Sequence, residues 1–161
     1  MKTIKVSNRQ NKLIIVDDVD YDKCAKYSWC INRNNNQLRS RINGIVTPLP
    51  DFIMGKLSGG LLWDHKDRNA LNNQRSNYRQ ATHQQNCANK PKFRGSSKYK
   101  GVSWDNAKNL WHAQIRVKYK TKHLGRYTKE EDAALAYNKA AIKYFGEFAY
   151  INIMPLMERK L

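Results

Sequence analysis

The sequence predicts an α+β chain in two parts. Three observations point there. Short apolar stretches with period two are broken by turn residues, and a single long helical pattern is marked at both ends. A basic stretch containing Pro, Gly and Ser, residues 90–98, separates two different textures. At 161 residues the chain suits one ordinary domain or two small ones.

Taken in order, MKTIKVSNRQNKLIIV reads as two short strands around the polar turn NRQN, with Ile4 and Val6 alternating and Leu13 to Val16 forming an apolar run. In DDVDYDKCAKYSW, Asp18 or Asp20 is placed to cap a short helix through Tyr27. The acidic cluster lacks the Gly and terminal Glu of a calcium loop, so it reads as a cap and a solvated face. QLRSRINGIVTPLP predicts a hairpin turning at Asn43-Gly44. Residues 57–60 are a flexible connection, and Leu61 to Trp63 form a short strand that runs into Asp64-His65. THQQNCAN, residues 82–89, predicts a helix that Pro91 ends.

KPKFRGSSK, residues 90–98, is the predicted linker: a solvated tether, or a basic strap whose Lys92 and Arg94 lie along a DNA groove. Beyond it, YKGVSWD, LWHAQIRVKYK and KHLGRYT predict three strands. In the middle one, Trp111, Ala113, Ile115 and Val117 share one face, while His112, Gln114, Arg116 and Lys118 share the other. TKEEDAALAYNKAAIKYFGE predicts a helix with a Thr128–Glu131 capping box and Gly146 at its C-terminal end. Its stripe of Ala133, Ala136, Tyr137, Ala140 and Tyr144 suits close packing on the apolar face of the sheet.

Charge narrows the function classes. Lys+Arg number 30 and Asp+Glu 13, a formal net charge of +17. Residues 1–93 hold 16 basic and 7 acidic side chains and residues 94–161 hold 14 and 6, so the excess belongs to the whole chain. Such a field predicts a polyanionic partner and steep salt dependence. Cys24, Cys30 and Cys87 form no C-x-x-C pair, which disfavours structural zinc. An odd cysteine count without an apolar leader predicts the cytoplasm and no signal peptide, and no run approaches a membrane span.

The chemistry concentrates in WDHKDRNALNNQRSNYRQATHQQNCAN, Trp63 to Asn89. Hydrolysing a phosphodiester needs a base, charge neutralisation and fixed geometry. His65 titrates near neutrality and suits the base, and Asp64 is a hard oxygen donor suited to Mg²⁺. Neighbours on a strand face opposite ways, so both meet one substrate only where the strand ends or twists. Of Asn77 and Asn86, one can orient the imidazole and the other can offer an oxygen to the metal. Arg75 and Arg79 suit DNA phosphates. An Asp-His pair in a polar loop is also compatible with a plain surface hydrogen bond, and loop asparagines with turns.

The same stretch resembles the HNH motif of phage and intron-encoded homing endonucleases. Asp64-His65, Asn72-Asn73, Asn77, Arg79, Ala81-Thr82, Gln85-Asn86 and Asn89 fall in the matching places. The resemblance implies a ββα-metal finger in residues 1–89 holding one Mg²⁺ or Mn²⁺. By the same token His65 is the general base, Asn77 braces the finger and the histidine, and Asp64 and Asn86 hold the metal. Two places depart from the pattern: Leu49-Pro50-Asp51 precedes FIMG where many relatives carry Leu-His-Arg, and Tyr78 stands where Leu is usual.

Residues 99–152 resemble the plant ethylene-response-factor (APETALA-type) DNA-binding domain through YKGVSW, WHAQIR, HLGRY and EEDAALAYNKAAIKYFGEFAYIN. That implies a three-stranded antiparallel sheet packed on one helix, its open face entering the major groove. Lys100, Ser103, Gln114, Arg116 and His123 fall where relatives meet DNA. Arg116 suits guanine and Gln114 adenine, while Lys118, Lys120 and Lys122 suit phosphate. Residues 153–161 are a tail. The expected protein is a monomeric site-specific endonuclease acting on double-stranded DNA in a phage-infected or host bacterial cell, with no membrane or small-molecule cofactor. The alternative is a non-catalytic DNA-binding regulator with a degenerate finger.

Overall fold

The computed structural model describes residues 1–9, 11–33, 36–92 and 94–155. Gln10 of the predicted NRQN turn, Phe93 of the predicted linker and residues 156–161 of the predicted tail lie outside the described residues. Helices and small antiparallel sheets make up the chain, the α+β class read from the sequence. It divides into two compact units, residues 1–83 and 84–161.

In the first unit, β1 (Lys2–Lys5) and β2 (Leu13–Val16) form the expected hairpin. Helix α1 (Asp18–Ala25) follows. It stops short of Tyr27, and its N-cap residue is Asp17, whose side chain makes no capping bond. Instead the Asp17 carboxylate accepts from Gln74 Nε2 at 3.2 Å and from the Arg75 backbone N–H at 2.8 Å. Asp20, read as part of a solvated acidic face, is buried within the helix. The reason is Arg75, which answers its charge from 55 residues away.

Strand β3 (Cys30–Ile31) pairs with β4 (Leu38–Ile42), which turns into β5 (Ile45–Pro48). Asn43 and Gly44 take φ of 50° and 82°, both left-handed, as a tight two-residue hairpin turn demands. Helix α2 (Leu49–Met54) starts directly from β5, with Pro50 in its first turn where a missing N–H is harmless. Neither β3 nor α2 was expected from the sequence. Trp29 is fully buried among Ile14, Val16, Leu38, Leu49 and Ile53, and its Nε1–H donates to the Cys24 carbonyl at 2.8 Å.

The unit ends with β6 (Leu62–His65) and β7 (Tyr78–Ala81), paired antiparallel with Asp64 opposite Arg79 and His65 opposite Tyr78. The expected strand therefore extends through the Asp-His pair, and the segment after Asn77 is a strand. Ile15 of β2 donates to the Leu71 carbonyl and accepts from the Asn73 N–H, each at 2.8 Å, fastening the loop between β6 and β7 to the core hairpin. Helix α3 (His83–Asn89) follows, and the boundary between the units falls inside it.

In the second unit, β8 (Val102–Asp105), β9 (Leu110–Val117) and β10 (Lys120–Tyr127) form an antiparallel sheet in the order β10-β9-β8. Helix α4 (Glu130–Phe145) packs Ala133, Ala134, Tyr137, Ala140 and Ala141 toward it, over Val102, Ala113 and Ile115. The stripe is thus turned slightly from the sequence reading, leaving Tyr144 exposed. The expected Thr128–Glu131 capping box is not formed: the N-cap residue is Lys129, without a side-chain cap. Glu130, Glu131 and Asp132 in the first turn complement the helix dipole instead. Gly146 ends the helix at φ 53°. Asn138 and Asn152 exchange bonds of 2.9 and 2.8 Å, and Asn152 also accepts from the Lys100 N–H at 2.7 Å, sewing the chain after α4 to the start of the sheet. Among the described residues no helix is long and apolar enough to cross a membrane.

Candidate functional site

His65 is the last residue of β6 and is paired with Tyr78, while its strand neighbour Asp64 is paired with Arg79 and faces the other side. Asp64 is buried, and its Oδ2 accepts from Arg79 Nε at 2.9 Å across the strand pair. The His65 ring packs 4.9 Å, centroid to centroid, from the Tyr78 ring. Its Nε2 lies 3.4 Å from Asn73 Oδ1. Burial pushes the His65 pKa down, against the opposing pulls of the Asn73 contact and of the Asp67 and Asp64 carboxylates. The net effect favours a neutral imidazole at neutral pH, the form a general base requires.

Asparagines and one carboxylate hold the loop after His65. Asp67 Oδ1 accepts from the Asn69 N–H at 2.8 Å and from Asn77 Nδ2 at 2.9 Å, while its Oδ2 accepts from Asn72 Nδ2 at 2.8 Å. Burial works to raise its pKa, but these donors outweigh it and the carboxyl sits below its ordinary range. Asn77 also donates to the Asn72 carbonyl at 2.8 Å and accepts from the Asp67 N–H at 3.1 Å. The structure thus places Asn77 as the clasp of the loop, and Asn73 rather than Asn77 against the histidine. Asn73, Tyr78 and Asp67 were not among the candidate residues. The Asn72-Asn73 doublet was the available signal for the first.

The predicted basic contacts fall into different surroundings. Arg75 grips Asp20 with two bonds, Nε to Oδ2 at 2.7 Å and Nη2 to Oδ1 at 2.8 Å, and donates to the Ile53 carbonyl at 3.2 Å. Arg79 holds Asp64. Asn86 lies on α3, within the second unit. Lys92 donates to the Val102 carbonyl at 2.6 Å. Lys100 Nζ donates to the Cys87, Ala88 and Lys90 carbonyls at 3.0, 2.6 and 2.5 Å, a cation at the end of α3 where carbonyls lack helical partners. Arg94 is exposed.

On the sheet of the second unit, directly opposed residues share a face. Register pairs Ser103 with His112, Gln114 with His123 and Arg116 with Thr121, so four of the predicted contacts, Ser103, Gln114, Arg116 and His123, gather on the side away from α4. His112 Nε2 and His123 Nδ1 are 2.6 Å apart on that side, and Arg126, opposite His112, reaches Asp105 at 3.0 Å. Lys120 and Lys122 oppose Val117 and Ile115, and the Lys122 ammonium sits 5.3 Å from the Tyr144 ring centroid on the helix side. Lys118 forms the β9–β10 turn with Tyr119, at φ 48° and 64°.

Among the described residues no three His, Cys, Asp or Glu side chains gather as a metal-holding group. A carboxylate such as that of Asp64 is a hard-oxygen donor of the kind Mg²⁺ takes. That ion commonly uses one or two carboxylates with waters and phosphate oxygens.

No family model matches the chain. An uncharacterized HNH endonuclease of Acanthamoeba polyphaga mimivirus is 34% identical over 133 residues, which is 80% of this chain and 68% of that protein. An ethylene-responsive transcription factor of Arabidopsis thaliana is 43% identical over 61 residues, 37% of this chain and 14% of its own length. An AP2-like ethylene-responsive transcription factor of the same plant is 35% identical over 148 residues, 92% of this chain and 38% of its own. The chain therefore spans well under half the length of these two plant relatives.

Proposed function

The chain belongs to the HNH endonuclease family, and on that premise we propose that it is a site-specific endonuclease of the homing type that hydrolyses phosphodiesters of double-stranded DNA. The observation that carries the reading is His65. It is a half-buried imidazole with a lowered pKa, at the very end of a strand, next in sequence to a buried carboxylate and to a loop clasped by Asn77.

In this reading the neutral His65 takes the proton of the attacking water. Asn77 keeps the loop after His65 closed, so that the base stays in line with the phosphate. Asp64 and Asn86 are the residues that would hold one divalent ion, Mg²⁺ or Mn²⁺. When bound, the ion supplies positive charge against the scissile phosphate and the leaving oxygen. Arg79 holds the Asp64 carboxylate oriented and shares its charge. The second unit, with Arg94 and the open sheet face of Ser103, Gln114, Arg116 and His123, anchors the chain on the duplex and helps choose the site. The two-module division at residues 1–89 and 99–152, joined by 90–98, makes the second contact intramolecular.

Plasmid cleavage with Mg²⁺ tests the base. Wild type is expected to nick or linearise a plasmid carrying its site, and His65→Ala to lose roughly 100-fold or more in rate, the scale of general-base catalysis. Equal cutting by both removes His65 from the role. A second reading, a non-catalytic DNA-binding regulator, draws on the Asp64–Arg79 ion pair, which already neutralises the carboxylate meant for the metal. Tight duplex binding with no cleavage across Mg²⁺, Mn²⁺, Co²⁺ and Ca²⁺ would favour that reading.

A further inference from the structure

We propose that Asn73 and Tyr78 are positioning residues for His65, a buried relay that sets which imidazole nitrogen carries the proton and which way the ring points. The proposal rests on the nuclease reading above for its catalytic meaning, but its geometry stands independently.

Asn73 is fully buried at the heart of the loop. Its backbone N–H is tied to the Ile15 carbonyl at 2.8 Å, so the core hairpin sets where the residue sits. Its side-chain Nδ2 donates to the Ala70 carbonyl at 3.1 Å. That bond decides the sense of the amide: Oδ1, an acceptor only, must be the atom that faces Tyr78 and His65. The Tyr78 hydroxyl, itself buried, donates to Oδ1 at 2.6 Å and takes one of its two lone pairs. The remaining lone pair faces His65 Nε2 at 3.4 Å.

An acceptor facing a ring nitrogen requires a proton on that nitrogen. The neutral ring is therefore the Nε2–H tautomer, and its basic nitrogen is Nδ1. The Tyr78 ring, 4.9 Å away and tilted 54°, limits rotation of the imidazole from the side. One residue thus touches His65 twice, through its ring directly and through its hydroxyl by way of Asn73. Neither Asn73 nor Tyr78 touches the reacting atoms in this arrangement. The long His65–Asn73 separation is the kind that tightens when substrate closes a site.

The test joins ¹⁵N NMR of the histidine-labelled full chain with cleavage kinetics on the same protein. The His65 signals are assigned by their loss in His65→Gln. In wild type at neutral pH, the His65 Nε2 shift is expected to be that of a protonated nitrogen and Nδ1 that of a bare one. Asn73→Leu removes the acceptor. It is expected to let the ring populate both tautomers and to lower kcat by ~10- to 100-fold with KM unchanged, as loss of a partner holding a functional imidazole does. Asn73→Asp restores an acceptor and is expected to return the Nε2–H tautomer. Tyr78→Phe keeps the ring and deletes only the hydroxyl, and is expected to fall between wild type and Asn73→Leu on both readouts. Should Asn73→Leu not fold, Tyr78→Phe decides alone.

Wild-type tautomer fractions and wild-type kcat in Tyr78→Phe, with cleavage intact, overturn the proposal and leave the nuclease reading in place. A wild-type chain that cuts no duplex, while the tautomer responds to the variants as stated, upholds the relay and removes the nuclease reading.

Discussion

Asp20 is a buried carboxylate held by Arg75 at 2.7 Å and by Lys23 at 2.8 Å. Burial works to raise its pKa, but the hydrogen bonds from Arg75 and Lys23 outweigh it, and the carboxyl lies below its ordinary 3.8. A carboxyl depressed in the folded state contributes stability that is present above its unfolded pKa and lost as pH falls through its folded value. Arg75→Ala leaves Asp20 with Lys23 alone and frees the Ile53 carbonyl. Hydrogen bonds to charged groups are each worth roughly 1.5–3 kcal/mol, and the half-exposed Arg75 guanidinium is screened by water. The expected loss is therefore about 2 kcal/mol at pH 7, read as a fall in the urea midpoint of the first unit. The gap between wild type and variant should shrink below pH 3.8, once Asp20 takes up its proton. A gap that stays constant down to pH 2 would show that Arg75 acts through packing alone. The prediction also bears on the sequence reading, in which Arg75 suits a DNA phosphate. A guanidinium gripping a buried carboxylate shapes the loop from which Asn77 hangs.

At the scale of elements, Gly101 governs how closely the sheet and α4 approach. Its φ is +76°, and a Cβ there would lie 1.9 Å from Tyr137 Cδ2 and 2.7 Å from the Gln114 backbone oxygen. The Gln114 N–H meanwhile donates to the Gly101 carbonyl at 2.8 Å, so the backbone cannot retreat without breaking that bond. Gly101→Ala combines a left-handed backbone penalty with overpacking. Together they are expected to destabilise the second unit by about 3 kcal/mol, measured by its thermal transition. An unchanged transition would mean that the helix moves away freely. What was legible in the sequence at this scale follows from period and punctuation. The alternation in β9 and Asn43-Gly44 are local signals, and local chemistry decides those elements. The two-residue β3 and six-residue α2 were not legible, since each is too short to show a period and is held by the Trp29 core. The capping box failed because α4 begins at Glu130, which makes Lys129 and not Thr128 the N-cap residue. In the site, the Asp-His pair and the clasp Asn77 stood out by residue type. The contacts of Asn73 and the capture of Arg75 by Asp20 depend on segments 55 or more residues apart, which spacing alone cannot reveal.

For the whole molecule, the positive charge is spread over both units, while the base-reading groups expected on the open sheet face are few. Affinity and specificity should therefore separate experimentally. Phosphate contacts release counterions, and each adds close to one unit to the slope of log K against log salt, whereas a base contact adds discrimination without much slope. Arg116 lies on the open sheet face, and the proposed reading gives it a bidentate base contact. Arg116→Ala is expected to weaken binding to the preferred site by about 1–3 kcal/mol and to leave binding to unrelated duplex nearly as it was. Lys118 sits at the β9–β10 turn with φ 48°. Lys118→Asn removes its charge while keeping a residue that tolerates left-handed backbone, so the turn should survive. This variant is expected to weaken all duplexes alike and to reduce the salt slope by about one. Fluorescence anisotropy with specific and scrambled duplexes, from about 50 to 200 mM salt, reads both quantities. If Arg116→Ala lowers the slope and spares discrimination, its guanidinium meets phosphate, and the base-reading role passes to other residues of that face, Gln114 first among them.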